Sequence, residues 1–335
     1  MTESNMLRGS WLDPALGEVT LKEYAPQWLQ DRRVKGQSLA PRTRDTYQHS
    51  LNMWILPKIG HLPLNRLTPA VIRSWHAEVS AATGPTASRQ AYALLRAICN
   101  TAVSDELILR NPCRVVGAGQ AYAAERPLLD FDQITAMADA MPRHLNIVVW
   151  TAFFAHLRLG EVIALRPEDL DLQTGTIRIA RQIVVTKEGR RETEPKVGSR
   201  RTVYLPQPLI TMLAQFMELT SVKPGTPLFR HTDGQPLQPW HIEWAWRRAR
   251  EAVGLPGVHF HDLRHAGLTL AAQTGATLAE IKRRAGHTSS RAALIYQHAA
   301  DQRDAEIANR IGDYTALRQQ ARDGRSDGRS DGYGR

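Results

Sequence analysis

Two cysteines, Cys99 and Cys113, are all that 335 residues contain. They cannot build a disulfide framework and their spacing is not that of a thiolate metal site, which suits a reducing compartment. The opening "MTESNMLRGSWLD" has no apolar core of signal-peptide type, and no run of the chain approaches the length of a membrane span. A cytoplasmic chain without membrane contact is the expectation. Acidic residues are scarce beside basic ones, 33 Asp and Glu against 43 Lys and Arg, for a formal charge of +10 and a pI near 9.9. That deficit points to a polyanionic partner. It is also uneven: residues 18–117 carry 13 basic against 7 acidic side chains, and residues 126–317 carry 24 against 20.

The hydrophobic fraction of 42% is ample for globular cores, and the length exceeds what one core usually holds. Residues 20–33, "TLKEYAPQWLQDRR", open with a threonine cap and an acidic first turn, then place Leu21, Tyr24, Trp28 and Leu29 at helical spacing. "APRTRDTYQHSLNMWILPKIG" starts a helix at Pro41 and ends at Pro57 and Gly60, while "TPAVIRSWHAEVS" and "GPTASRQAYALLRAICNTAVSDEL" follow with Pro near their starts and amphipathic runs. Four helices in about a hundred residues make a small helical domain. The stretch "NPCRVVGAGQAYAAERP" has no sustained period and reads as a linker.

Helices resume at "LLDFDQITAMADAMP" and run through "HLNIVVWTAFFAHLRLGEVIAL". Period-two or β-branched runs at 176–179, 183–186 and 202–205 around a "KEGRR" turn then predict a small antiparallel sheet. Further helices are expected at 206–219, 239–253, 261–274, 278–285 and 289–297. The fold class is therefore mainly α with a small antiparallel sheet in the C-terminal domain. The divisions expected are a short extension at 1–17, a helical domain at 18–115, a linker at 116–127, a second domain at 128–318 and a polar repeat tail at 319–335. With so few residues before the first helix, no further folded module is expected there.

"HFHDLRHAG", residues 259–267, holds three histidines and an arginine in nine positions. On a helix, His261 and His265 share a face, the spacing of a helical zinc pair with Asp262 beside the first. Arg264 lies on that face too and favours an anion such as phosphate over a divalent cation. Elsewhere Arg158 interrupts an apolar helical run with Glu161 three residues on, which is also the spacing of an ordinary intrahelical ion pair. Lys196 ends the "KEGRRETEPK" loop, where a solvated lysine is equally at home. His287 follows Gly286 at a turn, and Tyr296 lies nine residues beyond. "TLAEIKRRAGHTSSRAALIYQ" taken alone also reads as a helix-turn-helix.

The set and its order, Arg158, Lys196, His261 with Arg264, Gly286-His287 and Tyr296, resembles the tyrosine recombinase or phage integrase family of site-specific DNA recombinases. The likeness runs from about Thr20 to about Gly312, and residues 20–115 are similar to that family's helical core-binding domain. It implies that Tyr296 attacks a scissile DNA phosphate to give a 3′-phosphotyrosyl link and a free 5′-hydroxyl. Arg158 and Arg264 would hold the non-bridging oxygens, His261 and His287 would add hydrogen bonds and aid proton transfer, and Lys196 would protonate the leaving 5′-oxygen. Glu161 would orient its neighbours. One ester is exchanged for another, so the resemblance implies no metal, ATP or other cofactor. Its partners would be double-stranded recombination sites, a homo-tetramer formed on DNA at the nucleoid, and accessory DNA-bending or directionality proteins. Arg42, Arg44 and Arg89 would face the duplex on one side, and Lys282 and Arg283 on the other. The sequence departs from the family pattern at His156, where glycine is usual, and at Ala285, where leucine is usual. A type IB topoisomerase or a DNA-binding regulator without catalysis is the alternative.

Overall fold

The computed structural model describes residues 14–34, 36–120, 128–195, 198–286 and 312. Contacts divide the chain into two units, one comprising Met1–Glu125 with Val185–Gly189, the other Arg126–Val184 with Arg190–Arg335. None of the described helices is long and apolar enough to cross a membrane.

In the first unit, α1 (Leu21–Asp31) starts at a reciprocal cap: the Thr20 hydroxyl accepts from the Glu23 amide at 3.3 Å, and the Glu23 carboxylate accepts from the Thr20 amide at 2.9 Å. A two-residue ladder, β1 (Arg33–Val34) with β2 (Gln37–Ser38), leads to α2 (Pro41–Ser50). The helical path continues through Pro57 and ends before Gly60, within the end expected from the sequence. It widens into a π turn at Leu51–Ile55 and finishes with an α turn, Leu56–Ile59, before Gly60. The proline lacks the amide that a regular i to i−4 bond would need, and the wider turn accommodates that loss. Helices α3 (Pro69–Ala82) and α4 (Pro85–Ser104) complete the unit, both begun by proline at the first turn. Leu21, Leu51, Ile55, Ile72, Trp75, Leu95 and Ile98 fill the centre. At its edge the indole of Trp75 donates to the Trp54 carbonyl and that of Trp28 to the Thr101 hydroxyl, each at 2.8 Å. Cys113 and Ala118 are buried against this same core, so the start of the aperiodic stretch packs and does not dangle.

The second unit opens with α5 (Phe131–Ala140), capped reciprocally by Asp130 and Gln133, and the almost wholly buried α6 (Arg143–Phe154). A three-stranded antiparallel sheet follows in the order β3 (Leu170–Asp171), β4 (Thr176–Ile179), β7 (Arg201–Tyr204), with Ile177 opposite Val203 and Ile179 opposite Arg201. Strands β5 (Gln182–Thr186) and β6 (Gly189–Thr193) pair apart from it as a ribbon. The expected single sheet is thus two, and "GRR" of the expected turn is strand, because the reversal takes only Lys187 and Glu188. Helices α8 (Gln207–Thr220), α9 (Pro239–Ala252), α10 (Asp262–Gln273) and α11 (Leu278–Ala285) end within a residue or two of their expected bounds. The helix expected at 289–297 lies outside the described residues, as does the 319–335 tail.

Between α6 and the short α7 (Leu159–Val162) the chain breaks, against the expectation of one continuous apolar helix. His156 adopts φ +55°, the left-handed region that a residue with a Cβ seldom enters, and Arg158 is extended at φ −76°, ψ 152°. The broken end is held by arginines arriving from far along the chain. Arg284 donates to the Phe154 carbonyl at 3.3 Å, and Arg264 and Arg201 both donate to the carbonyl of His156.

Candidate active site

Glu161 is the centre of this region. It sits 1% exposed in the first turn of α7, an expensive place for a carboxylate unless cations and amides surround it. They do. Its oxygens accept from the Arg158 amide at 3.0 Å and Nη1 at 2.8 Å, and from Arg201 Nη1 at 3.3 Å and Nη2 at 2.8 Å. Arg264 Nη1 lies 3.9 Å away. Burial alone would raise the carboxyl pKa, but the hydrogen bonds and charge of Arg201, with the charge and amide of Arg158, outweigh it and hold the group below its ordinary value. Glu161 is therefore an anion at neutral pH. The Arg158–Glu161 pair is the N-terminal clasp of a separate short helix and not a surface pair in mid-helix.

Arg264 is 1% exposed. Its guanidinium donates to the carbonyls of His156 and Ala285, which binds the C-terminal end of α11 to the broken end of α6. His261, the first residue of the "HDLR" run, caps α10, and its ring meets that of His265 edge-on with centroids 4.8 Å apart. Asp262 is buried and accepts from the His259 amide at 2.7 Å, fixing the helix start. No three metal-type side chains converge among the described residues. His261 lines a cleft with Leu159, Glu243, Arg247, Arg250 and His259.

His156 is 3% exposed. Its Nδ1 accepts from Arg284 Nε at 3.2 Å, and the ring bonds the Gly267 backbone. Burial first, then the charges of Arg284, Arg264 and Arg201, push the imidazole well below its ordinary pKa, so it is neutral. The helix opposite must be bare where it passes: a Cβ on Gly267 would stand 2.2 Å from the Phe153 carbonyl oxygen and 2.7 Å from His156 Cδ2.

Three expected site residues, Lys196, His287 and Tyr296, fall outside the described residues. The structure brings Arg158, Glu161 and Arg264 together, with His261 at the start of the helix that carries Arg264. Of the residues expected to face DNA, Arg42 and Arg44 are exposed on α2, Arg89 is half-buried on α4, Arg283 is exposed and Lys282 half-buried on α11. Arg42 and Arg44 are two residues apart and so lie on different faces of their helix.

Arg201 was missed by sequence reasoning except as a neighbour of Lys196. Period two offers a signal for it, since Arg201 shares the face of buried Val203, and an arginine on the inward face of a strand needs a carboxylate. Nothing local could have named Glu161 as that carboxylate, 40 residues earlier.

Residues 127–303 match the phage integrase family, and residues 20–80 match the N-terminal SAM-like domain of phage integrases. A putative prophage phiRv2 integrase of Mycobacterium tuberculosis is 39% identical over 293 residues, which span 85% of this chain and 76% of that one. Among solved structures, the Tn1549 transposon integrase in complex with transposon right end DNA superposes with a TM-score of 0.74 at 17% identity, covering 87% of this chain and all of the other. A lambda integrase tetramer bound to a Holliday junction gives 0.63 at 16% identity, covering 87% and 82%.

Proposed function

The chain belongs to the phage integrase family, and from that membership we infer a site-specific recombinase of the tyrosine type that cuts and rejoins duplex DNA. In this reading the Tyr296 phenol attacks the scissile phosphate, forming a 3′-phosphotyrosyl bond as the bond to the 5′-oxygen breaks. A second strand's 5′-hydroxyl reverses the exchange on a new partner, and no nucleotide is consumed. Arg158 and Arg264 stabilise the non-bridging oxygens, a task in which fixed cations replace a metal. His261 and His287 hydrogen-bond the same group and help take the phenolic proton, while Lys196 delivers a proton to the departing oxygen.

The observation that supports the reading best is the set of three guanidiniums held around one buried carboxylate. Three like charges repel, and Glu161 lets them stand together with an excess of positive charge left for a phosphodiester. Arg158 keeps 29% of its side-chain area open. Arg264 does not, so a phosphate reaches it by taking a donor from the His156 or Ala285 carbonyl, which an anionic oxygen does as the stronger acceptor. The lambda integrase tetramer bound to a Holliday junction supports a tetramer on DNA for this chain too; a place at the nucleoid and accessory proteins that set direction complete the proposal.

The test is covalent capture. The protein is incubated with the DNA flanking its own gene, without nucleotide and in excess EDTA, and the strands attached to protein are sequenced. Wild-type protein leaves a 3′-linked strand and a free 5′-hydroxyl; Tyr296→Phe, which keeps the ring and loses the attacking oxygen, leaves none. An adduct in that variant, or attachment only with added divalent metal, refutes the reading.

A further inference from the structure

The C-terminal end of α11 has an unusual closure. A helix leaves its last carbonyls without intrahelical donors, and water or a local cap ordinarily takes them. Here three side chains from distant segments do so in succession: Arg201 Nε donates to the Arg284 carbonyl at 2.8 Å, Arg264 Nη2 to that of Ala285, and the buried Ser199 hydroxyl to that of Gly286 at 3.0 Å. Two of the three are cations at the negative end of the helix dipole. Gly286 turns left-handed at φ +59°, and a Cβ there would lie 3.0 Å from Arg201 Nη1 and 3.2 Å from the Ser199 carbonyl oxygen.

Arg201 reaches much further than this one carbonyl. A guanidinium has five N–H groups. In Arg201 Nε takes the Arg284 carbonyl, Nη1 takes Glu161 Oε1 at 3.3 Å and the Ser199 carbonyl at 2.9 Å, and Nη2 takes Glu161 Oε2 at 2.8 Å and the His156 carbonyl at 3.4 Å. Its side chain is 4% exposed, and all three of its nitrogens are taken up by acceptors of the protein itself. One planar group thus sets the distances among α7, the broken end of α6, the start of β7 and the end of α11. Along the chain, Ser199 follows Lys196 by three residues and Gly286 precedes His287.

We propose that Arg201 is a positioning residue for strand cleavage, and that with Ser199 it braces residues 199–201 against the end of α11 at 284–286, stretches that neighbour Lys196 and His287 in sequence. The proposal rests on the recombinase reading for its catalytic consequence, but the brace itself is a property of the chain without DNA. Lysine cannot replace the arginine, because one ammonium offers three donors from a single point and cannot span acceptors on four segments. Loss of the brace loosens 199–201 and 284–286 from Glu161 and the His156 carbonyl, and in the recombinase reading the cost falls on cleavage and not on DNA binding.

The experiment uses the full chain and the duplex recovered by covalent capture, with Arg201→Lys and the milder Ser199→Ala compared in single-turnover cleavage at saturating DNA. Arg201→Lys should cleave slower by on the order of 100-fold and Ser199→Ala by about 10-fold, as a displacement near 1 Å at the reacting atoms produces. The dissociation constant for DNA should stay within about threefold, because neither side chain touches it. Sulfur at the bridging 5′ position should restore part of the Ser199→Ala rate, since a thiolate leaves without the proton that a displaced Lys196 no longer delivers. In the free protein, amide hydrogen exchange over 278–286 should quicken in both variants and stay unchanged across α9. Wild-type cleavage by Ser199→Ala and Arg201→Lys, a fall in affinity that accounts for the lost rate, or unaltered exchange at 278–286 overturns the brace. If Arg201→Lys does not fold, Ser199→Ala decides by the same readings. A covalent adduct with Tyr296→Phe would instead overturn the recombinase reading, and the exchange measurement would then still decide the brace by itself.

Discussion

Replacing Glu161 with glutamine keeps the shape of the side chain and removes the charge with which Arg158 and Arg201 pair. Two unit charges 2.8 Å apart, the separation of Glu161 from both Arg158 and Arg201, attract by about 6 kcal/mol at an effective dielectric near 20. Desolvation returns several kcal/mol for each ion, so the pairs are close to balanced in net terms. Removing only the anion upsets that balance: the guanidiniums stay buried without a counter-charge, and the new amide nitrogen points a donor at donors. The cost of breaking a buried pair in this way is about 3–5 kcal/mol. Urea unfolding at pH 7, followed by tryptophan fluorescence of the second unit, should show a loss of that size with an unchanged denaturant slope. The loss should shrink in acid. The folded-state pKa of Glu161 lies below the ordinary 4.5, so the wild-type advantage is complete above about pH 4.5 and disappears as pH falls through the folded value. Glutamine does not titrate, and the two stability curves should therefore converge at the acid end. A loss under about 1 kcal/mol, or curves that remain parallel into acid, would refute the argument that this carboxylate holds the arginine group together.

His156→Gly relieves a left-handed backbone of about 1 kcal/mol but deletes the acceptor for Arg284. Because the folded imidazole titrates below its ordinary 6.5, wild-type stability should decline as pH falls beneath 6.5, and the glycine variant should lack that part of the slope; identical slopes count against the buried neutral ring. Gly267→Ala drives a methyl into the Phe153 carbonyl and the His156 ring, so it should destabilise by about 2 kcal/mol or more, and a neutral effect in unfolding experiments would mean that α6 and α10 do not approach as described. Lys196→Ala should be slow on ordinary DNA and recover most of its rate when sulfur replaces the bridging 5′-oxygen, while Arg158→Ala gains much less; equal recovery removes the lysine from the acid role. Arg42→Ala and Arg44→Ala, tested singly, should identify the face of α2 that meets DNA: the one on that face lowers the slope of log affinity against log salt by about 1, as loss of one phosphate contact does, and an unchanged slope in both places DNA elsewhere.

Features governed by neighbours in the chain were legible in advance. Thr20 with Glu23 and the prolines at 41, 69 and 85 marked helix starts because capping is local, and the change from helical to period-two spacing marked β4 and β7. The break after Phe154 was not legible. Its flanks read as one apolar helix, and the left-handed residue is a histidine, so no glycine announced the turn. What holds the break are Arg201, Arg264 and Arg284, which come from 45 to 128 residues away. The site divides in the same way. Arg158, His261 and Arg264 stood out through their order along the chain, whereas Glu161 as a shared counter-ion, Arg201 as its chief partner and Ser199 as a helix closure depend on contacts that only the folded chain supplies.

The two ends of α11 also differ in when they can form. Its start is self-sufficient, since Thr277 and Glu280 cap one another within the first turn. Its finish requires Ser199, Arg201 and Arg264, which precede it in the chain and meet the carbonyls of residues 284–286 only when those have been made. Arg201 and Arg264 already have acceptors in Glu161 and the His156 carbonyl, so what the arrival of residues 284–286 adds is the tie from those arginines and Ser199 to α11. The start of α11 thus forms from its own sequence, whereas its finish forms only as part of the tertiary structure.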